Sequence, residues 1–410
     1  MVYDDLLLDY INLYNLKRFT VLQRNKQTAF VRDSTAYKTD GAIVGINQPR
    51  IEIIGYKKGI LIEEGTTNLN SDPFFETGIS GWNKREWTTL EWLSSEYNPF
   101  SKKNGVMRLY DNNGIGFCSK VVFISNTPHT VSVLLKILKG NINNINVGGT
   151  VFYTDNTYTD YTWSNSNTTR YDMSAVFGQG VYKLVATITP DNSKTISSYE
   201  LRISHTDTIE TELLVYAVQL EAKPYATSFV NGTRSSETLT IPTVGILSPQ
   251  EGTVECWVYV NDVLKRADGI PRRIWHIGRE DDDNMQGLIL YCSNLYWTVL
   301  YTQKIDIMDS TINIGWHYFA VTWGNFGVRL YIDGVKKGEN SAVLAGNFSP
   351  VFRLGHRGDY SRYADTLFAD VRISSRARTD EEIAEAYAKG ILSYDASTTF
   401  LLDTKLAGWE

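Results

Sequence analysis

Residues 315–334 constrain the fold more than any other stretch of this chain. Gly315-Trp-His-Tyr-Phe-Ala-Val-Thr-Trp323 and Val328-Arg-Leu-Tyr-Ile-Asp-Gly334 are aromatic, β-branched runs separated by a short Gly/Asn break. Strand-forming composition on both sides of such a turn is the strongest short-range signal for an antiparallel hairpin. In the second run Val328, Leu330 and Ile332 fall on one face and Arg329, Tyr331 and Asp333 on the other. The spacing predicts the central meander of a β-sandwich, with Asp333-Gly334 as a further turn.

At 410 residues the chain is long enough for roughly two or three domains. A hydrophobic fraction of 42% supports real cores, so global disorder is excluded. Aromatic content is high, with 25 Tyr and 10 Trp. These side chains suit half-buried sheet surfaces, and they also stack on sugars. Acidic and basic residues are interspersed around a net charge of −6, which does not suit a nucleic-acid-binding stripe. No apolar run reaches the roughly 18 residues of a membrane span, and the first residues lack a basic n-region, so neither membrane insertion nor a secretory signal is expected. Cys118, Cys256 and Cys292 are widely spaced and read as reduced core thiols, with no Cys/His pair at zinc spacing.

Taken in order, residues 1–27 form an apolar, irregular segment that cannot bury its own face and is the candidate attachment arm. Residues 28–66 read as short leader strands punctuated by Asp-Gly, Asn-Gln-Pro and Gly. Residues 67–231 carry many short strand runs without a long helical pattern, as in a first β-sandwich, and 232–249 read as a linker or a sandwich-joining strand. Residues 250–410 hold a second sandwich and one clear helix. That helix is announced by a Thr379/Glu382 capping box and stopped by Gly390, with Ile383, Ala386 and Tyr387 as its inward stripe. The fold class is therefore all-β: two tandem antiparallel β-sandwich (jelly-roll) domains with an N-terminal arm and one short C-terminal helix.

Three resemblances follow from quoted strings. "RDSTAY", "TDG", "NQPRIE" and "GILIEEGTTNL" (residues 32–69) are similar to a segment found in bacteriophage and prophage structural proteins. The opening "NLNSDPFFETGISGW" and closing "VYAVQLE" of the middle unit resemble carbohydrate-binding modules of the galactose-binding-like type, whose structural calcium would fall to Glu76 and Glu221 here. "TVECWVYV", "GWHYFAVTW", "GVRLYIDGVKKGE", "FRLGHR" and "FADVRISSRARTDEEIAEAY" resemble the laminin-G-like, concanavalin-A-like jelly roll over about 140 residues. The resemblances imply a virion protein without an export signal. It would attach to other virion proteins through its N-terminal segment and use its sandwiches to bind cell-surface glycan. A capsid or tail decoration protein making only protein contacts is the first alternative. Homo-oligomerisation stays open, since no coiled-coil or fibrous repeat is present.

The concanavalin-like glucanases would carry Glu-x-Asp-x-x-Glu, placing two carboxyls on one strand face across the scissile bond. This chain lacks that string, and lacks Gly-x-Ser-x-Gly and His-Glu-x-x-His. A non-enzyme is expected, with a polysaccharide-degrading enzyme as the second alternative. The acidic run at 280–283 reads either as a solvated hairpin tip or as a Ca²⁺ site, in which Asp281, Asp282, Asp283 and the Asn284 carbonyl would be ligands. The candidate glycan-contacting residues are Tyr296 and Trp297 at a strand start, Arg357, Asp359, Tyr360 and Tyr363 on the polar loop 356–363, and Trp87 and Trp92 in the middle unit. Trp87 and Trp92 suit a subunit interface equally well.

Overall fold

The computed structural model describes residues 28–402 except 86, 113–115, 164–165, 207–208, 279–286, 294–295, 301–303, 309–311, 345–347 and 358–361. The chain divides into two compact units, both built from antiparallel sheets. One is discontinuous, comprising 28–33, 46–64 and 236–402, and is termed the split unit. The other comprises 34–45 and 65–235 and is termed the inserted unit. Residues 1–27, the candidate attachment arm, lie outside the described residues.

The split unit is a sandwich of two sheets. A seven-stranded sheet runs, from edge to edge, Ala29–Val31, Thr238–Pro242, Val351–Leu354, Arg272–Gly278, Gly287–Ser293, Tyr296–Leu300 and Lys304–Met308. The eight-stranded sheet runs Val335–Asn340, Gly327–Ile332, Gly315–Gly324, Gly252–Val260, Thr366–Ser374, Lys57–Ile62 and Arg50–Ile54. Its eighth strand, Thr398–Leu402, pairs with Thr366–Ser374. The hairpin forms as its alternation requires. Phe319, Val321 and Trp323 lie opposite Ile332, Leu330 and Val328, and all six are buried in the core. Asp333 and Gly334 both take positive φ, 50° and 77°, the backbone of a two-residue turn matched to strand twist.

On the other face of the eight-stranded sheet lies the helix Asp380–Lys389. Its capping box between Thr379 and Glu382 is complete and Gly390 closes it in the left-handed conformation. Ile383 and Ala386 are buried against Trp257, Tyr318 and Tyr331. Tyr387 is partly exposed but stacks on Trp257 with ring centroids 5.7 Å apart. A second, four-residue helix, Ser174–Phe177, in the inserted unit adds to the single helix expected.

The partition differs from the sequence reading in the leader. The leader 28–66 is not a separate segment: Ala29–Val31 pairs with Thr238–Pro242, and Lys57–Ile62 pairs with Thr366–Ser374. Phe30, Ile60 and Ile62 enter the core of the split unit. The segment 232–249, read as a linker or a sandwich-joining strand, contains a sheet strand, Thr238–Pro242. The physical reason is that two- to six-residue strands with one apolar side cannot bury that side alone. A buried charge cluster fixes the attachment. Glu237 accepts from Arg32 Nη1 at 2.7 Å, Arg50 Nε at 2.8 Å, Arg50 Nη2 at 2.5 Å and the Glu63 backbone N–H at 3.0 Å.

The inserted unit packs a five-stranded sheet (Tyr158–Asp160, Ile145–Tyr153, Ile196–His205, Phe117–Val122, Trp82–Lys84) on a six-stranded one. The six strands are Thr169–Asp172, Val181–Ile188, His129–Lys139, Thr211–Glu221, Lys103–Asp111 and Thr88–Asn98. Its core includes Trp82 beside Phe75, as expected for packing. A second apolar cluster, centred on Phe74, Phe100, Tyr216 and Phe229, covers the far side of the six-stranded sheet. The three cysteines are free and buried, and burial pushes the Cys118 and Cys256 thiols well up. No helix among the described residues is long and apolar enough to cross a membrane.

Candidate functional site

In the split unit the strand Arg272–Gly278 lies between Val351–Leu354 and Gly287–Ser293. Phe352 and Leu354 point into the core, so Arg353 between them takes the outer face, opposite His276 in the register. Arg273 lies opposite Tyr291, with its guanidinium carbon 4.8 Å from the ring centroid, within cation–π range. A bulge between Arg273 and Trp275 lets Ile274 and Trp275 both reach the core while Arg273 and His276 stay out of it.

The loop after Val351–Leu354 returns over this strand. It leaves through Gly355 (φ +78°), where an added Cβ would lie 2.9 Å from Ile62 Cγ2 and Phe368 Cε2, so only glycine fits. Gly355 N–H donates to Ile274 O at 2.9 Å, Arg273 N–H donates to Arg362 O at 2.9 Å, and Ala364 N–H returns to Gly355 O at 2.8 Å. His356 stacks on Tyr363 with centroids 5.5 Å apart and 19° between the planes.

The result is a basic, aromatic cluster of Arg273, Arg353, Arg357, His276 and His356, each less than 8% exposed. Its accessible edge is the half-buried Tyr291 and the exposed Tyr296. Burial first, then the positive field of Arg273, Arg353, Arg357 and His356, pushes the His276 imidazole down to about 3. His276 is therefore neutral at ordinary pH. Neither of its ring nitrogens has a hydrogen-bond partner among the described residues. Arg272 beside it belongs to a different arrangement, donating through both terminal nitrogens to Asp268 at 2.9 and 2.6 Å. Burial alone would raise the Asp268 carboxyl, but the Arg272 and Arg266 guanidiniums hold it well below the usual carboxylate range. The cluster sets a positive field behind the Tyr291 and Tyr296 rings.

The structure separates the expected site residues. Tyr296 is 41% exposed, but Trp297 is 2% exposed and packs on Phe319 at 4.6 Å between centroids. The Trp297 indole faces the core because strand alternation turns it opposite to Tyr296, so it offers no stacking surface. Tyr363 is also a core residue, with its ring against His356 rather than solvent. Arg357 is buried within the basic cluster. Asp359, Tyr360, Asp281, Asp282, Asp283 and Asn284 lie outside the described residues. In the inserted unit Trp87 is exposed, and Trp92 is partly exposed with its Nε1–H donated to Phe75 O at 2.9 Å.

Among the described residues no group of three or more His, Cys, Asp and Glu side chains could hold a metal ion. The carboxylates implied for a calcium in the inserted unit do not fit one. Glu221 accepts from Thr66 Oγ1, Gln219 Nε2, Thr227 N–H and Thr227 Oγ1, and Glu76 accepts from Lys103 at 2.6 Å. Sequence reasoning missed Arg273, His276, Tyr291 and Arg353. The available signal was a charged or imidazole residue between apolar strand neighbours, as in Phe352-Arg-Leu354.

Residues 231–384 match a family described as the concanavalin A-like lectin/glucanases superfamily. The match includes every described residue of the cluster. It begins after the strands at 29–62, which the fold nevertheless places in the same sandwich. No curated protein matches the sequence. Solved structures with similarity include the botulinum neurotoxin type G receptor binding domain, at 17% identity and TM-score 0.30, covering 39% of this chain and 43% of that one. Another is domain 4 of AbnA, an extracellular arabinanase from Geobacillus stearothermophilus solved with arabinotriose. It shows 19% identity and TM-score 0.28, covering 40% and 79%. A heptameric SAP-like pentraxin from Limulus polyphemus shows 14% identity and TM-score 0.28, covering 35% and 72%. The chain spans about two fifths of the length of the neurotoxin domains it matches.

Proposed function

We propose that this chain is a non-catalytic glycan-binding protein whose split unit engages sugar at the edge of the Arg273–His276–Arg353–Arg357 cluster. The observation that carries the reading is the coincidence of that cluster with the segment matching the lectin/glucanase superfamily. Tyr291 and Tyr296 supply ring faces, and the buried arginines behind them supply a positive field that suits oxygen-rich groups. Binding without hydrolysis is supported by a sequence with no Glu-x-Asp-x-x-Glu string. The finer reading is a bacteriophage or prophage virion component that meets a host surface, and it rests on the resemblance of residues 32–69 to phage structural proteins.

A glycan array probed with the purified full chain, in millimolar calcium and in chelator, tests the proposal. Binding to defined glycans that weakens in Tyr296→Ala supports it, and the two buffers separate a cation-dependent from a cation-independent mode. Absence of binding in both buffers removes the glycan reading and leaves protein contacts as the function. Release of reducing ends from a bound polysaccharide would overturn the non-catalytic part.

A further inference from the structure

We infer that residues 403–410 dock on an exposed aromatic patch of the split unit, as a strap over the helix-bearing face of the eight-stranded sheet. The patch is built where the turn of the hairpin 50–62 meets the end of the helix Asp380–Lys389. Tyr56 is 75% exposed and Ile391 51% exposed, with Val335 and part of Tyr387 also open. Lys57 ties these groups together. Its Nζ donates to Gly390 O, and lies 3.8 Å from the Trp257 ring centroid and 5.5 Å from that of Tyr56. Trp257 stacks in turn on Tyr387. Burial, then Asp333 and the Tyr56 hydroxyl, push the Tyr387 phenol up, so Tyr56 lies within electrostatic range of it. Beside Tyr387 is the Gly334 turn, where an added Cβ would lie 3.0 Å from Tyr387 Cβ and after which Val335 follows.

The path of the chain leads to this place. Thr398–Leu402 pairs antiparallel with Thr366–Ser374, and Leu402 lies opposite Val371, so the chain heads from there toward Asp370. The other edge of Thr366–Ser374 is held by Gly252–Val260. Ahead of Leu402 the shared edge is already taken by Lys57–Ile62, whose Ile60 faces Phe368. The chain beyond Leu402 therefore has no open ladder to join and must leave the sheet beside Lys57, whose Nζ is 3.8 Å from Asp370 Oδ2. Leu401 already lies on the helix side, clustered with Trp257, Ala369 and Ile383.

Composition and reach select the occupant. Asp403-Thr-Lys-Leu-Ala-Gly-Trp-Glu410 carries two large apolar anchors, Leu406 and Trp409. At roughly 3.3–3.6 Å per residue, Leu406 reaches about 14 Å from Leu402 and Trp409 about 24 Å, while Tyr56 adjoins Lys57 at the exit point. Covalent attachment gives the segment an effective concentration of millimolar order, so a few side-chain contacts suffice to seat it. An anionic membrane fits less well, because it calls for an excess of lysine around the apolar groups. Here Lys389 is paired with Glu385 at 2.7 Å and Lys336 with Glu339 at 3.0 Å. A second copy would have to displace a segment already tethered within reach. The patch belongs to the eight-stranded sheet and Tyr291 and Tyr296 to the seven-stranded one, so the inference stands apart from the glycan reading.

The test replaces Trp409 with the photo-cross-linker benzoylphenylalanine in the full chain and irradiates an equal mixture of isotopically light and heavy protein. Cross-links from 409 to residues 53–58 or 387–392 within one isotope are expected. Tyr56→Ala combined with Ile391→Ala should abolish them while far-ultraviolet dichroism stays unchanged, since both side chains are exposed. Hydrogen exchange gives a second reading that needs no cross-linker. In Leu406→Ser combined with Trp409→Ser, the amides of 55–58 and 388–392 should exchange about tenfold faster or more, with protection elsewhere in the unit retained. Cross-links between light and heavy chains overturn the inference by assigning the patch to a second copy. Absent or misplaced cross-links, or wild-type exchange as fast as in the double-serine variant, overturn it by leaving the patch open to a foreign partner.

Discussion

Removing the Glu237 carboxylate is the sharpest test of the split architecture, because that one group joins three sequence-distant strands. Glu237 is fully buried, as are the side chains of Arg32 and Arg50 that donate to it. In Glu237→Ala, Arg32 and Arg50 lose three donor contacts between them and the Glu63 backbone N–H loses its acceptor. Arg50 retains Glu63 at 2.7 Å. Breaking a buried pair by deleting one partner costs about 3–5 kcal/mol, because the remaining charge stays desolvated. Since two arginines are affected, the upper part of that range is expected. Glu237→Gln, which keeps the shape and an acceptor but not the charge, should cost less. Urea unfolding followed by tryptophan fluorescence and by hydrogen exchange reads the effect, with exchange needed to assign a transition to one unit. Protection should fall together in strands 29–31, 57–62 and 238–242. A loss below about 1 kcal/mol, or exposure of 29–31 alone, would refute a single cooperative unit closed by this carboxylate.

Other expectations follow from the same geometry. His276 is held at about 3 in the fold, below its ordinary value of roughly 6.5, so the unfolded chain binds the extra proton between those limits. Its contribution is full above pH ~6.5 and is lost as pH falls toward 3, with a slope of up to about 1.4 kcal/mol per pH unit. His276→Asn should flatten the wild-type decline in urea midpoint between pH 7 and 4; parallel curves would contradict the assignment. Trp297→Ala should cost about 3–5 kcal/mol in urea unfolding, whereas Tyr296→Ala should cost under about 0.5 kcal/mol, and equal losses would contradict their opposite faces. Thr379→Ala removes the side-chain acceptor of the Glu382 N–H and should cost about 1 kcal/mol. An unchanged thermal midpoint would show that the cap contributes nothing.

The hairpin at 315–334 was legible because three local signals agreed there: alternation, aromatic content and an Asp-Gly turn. The helix at 380–389 was legible for the same reason, through its capping box and terminal glycine. Trp297 was misjudged because period-two alternation in Tyr296-Trp-Thr-Val299 names two faces without saying which one meets the second sheet. The leader strands were misplaced because strands of two to six residues carry too little pattern to show a partner some 200 or 300 positions away; Phe30 meets Leu239, and Leu61 meets Leu367. The basic cluster was invisible for a related reason. Arg273 and Arg353 come together only through the register of two strands, and the local signal, a charged residue between apolar neighbours, does not name a partner.

The central claim is that the split unit recognises glycan beside its buried basic cluster. Titration of the strongest array ligand into wild type, Tyr291→Ala and, as an inserted-unit control, Phe123→Ala/Tyr158→Ala tests it most directly. The account predicts saturable binding weakened at least about tenfold in Tyr291→Ala and unchanged in the other variant. Full affinity in Tyr291→Ala, with the same melting temperature as wild type, would place the ligand elsewhere and contradict it.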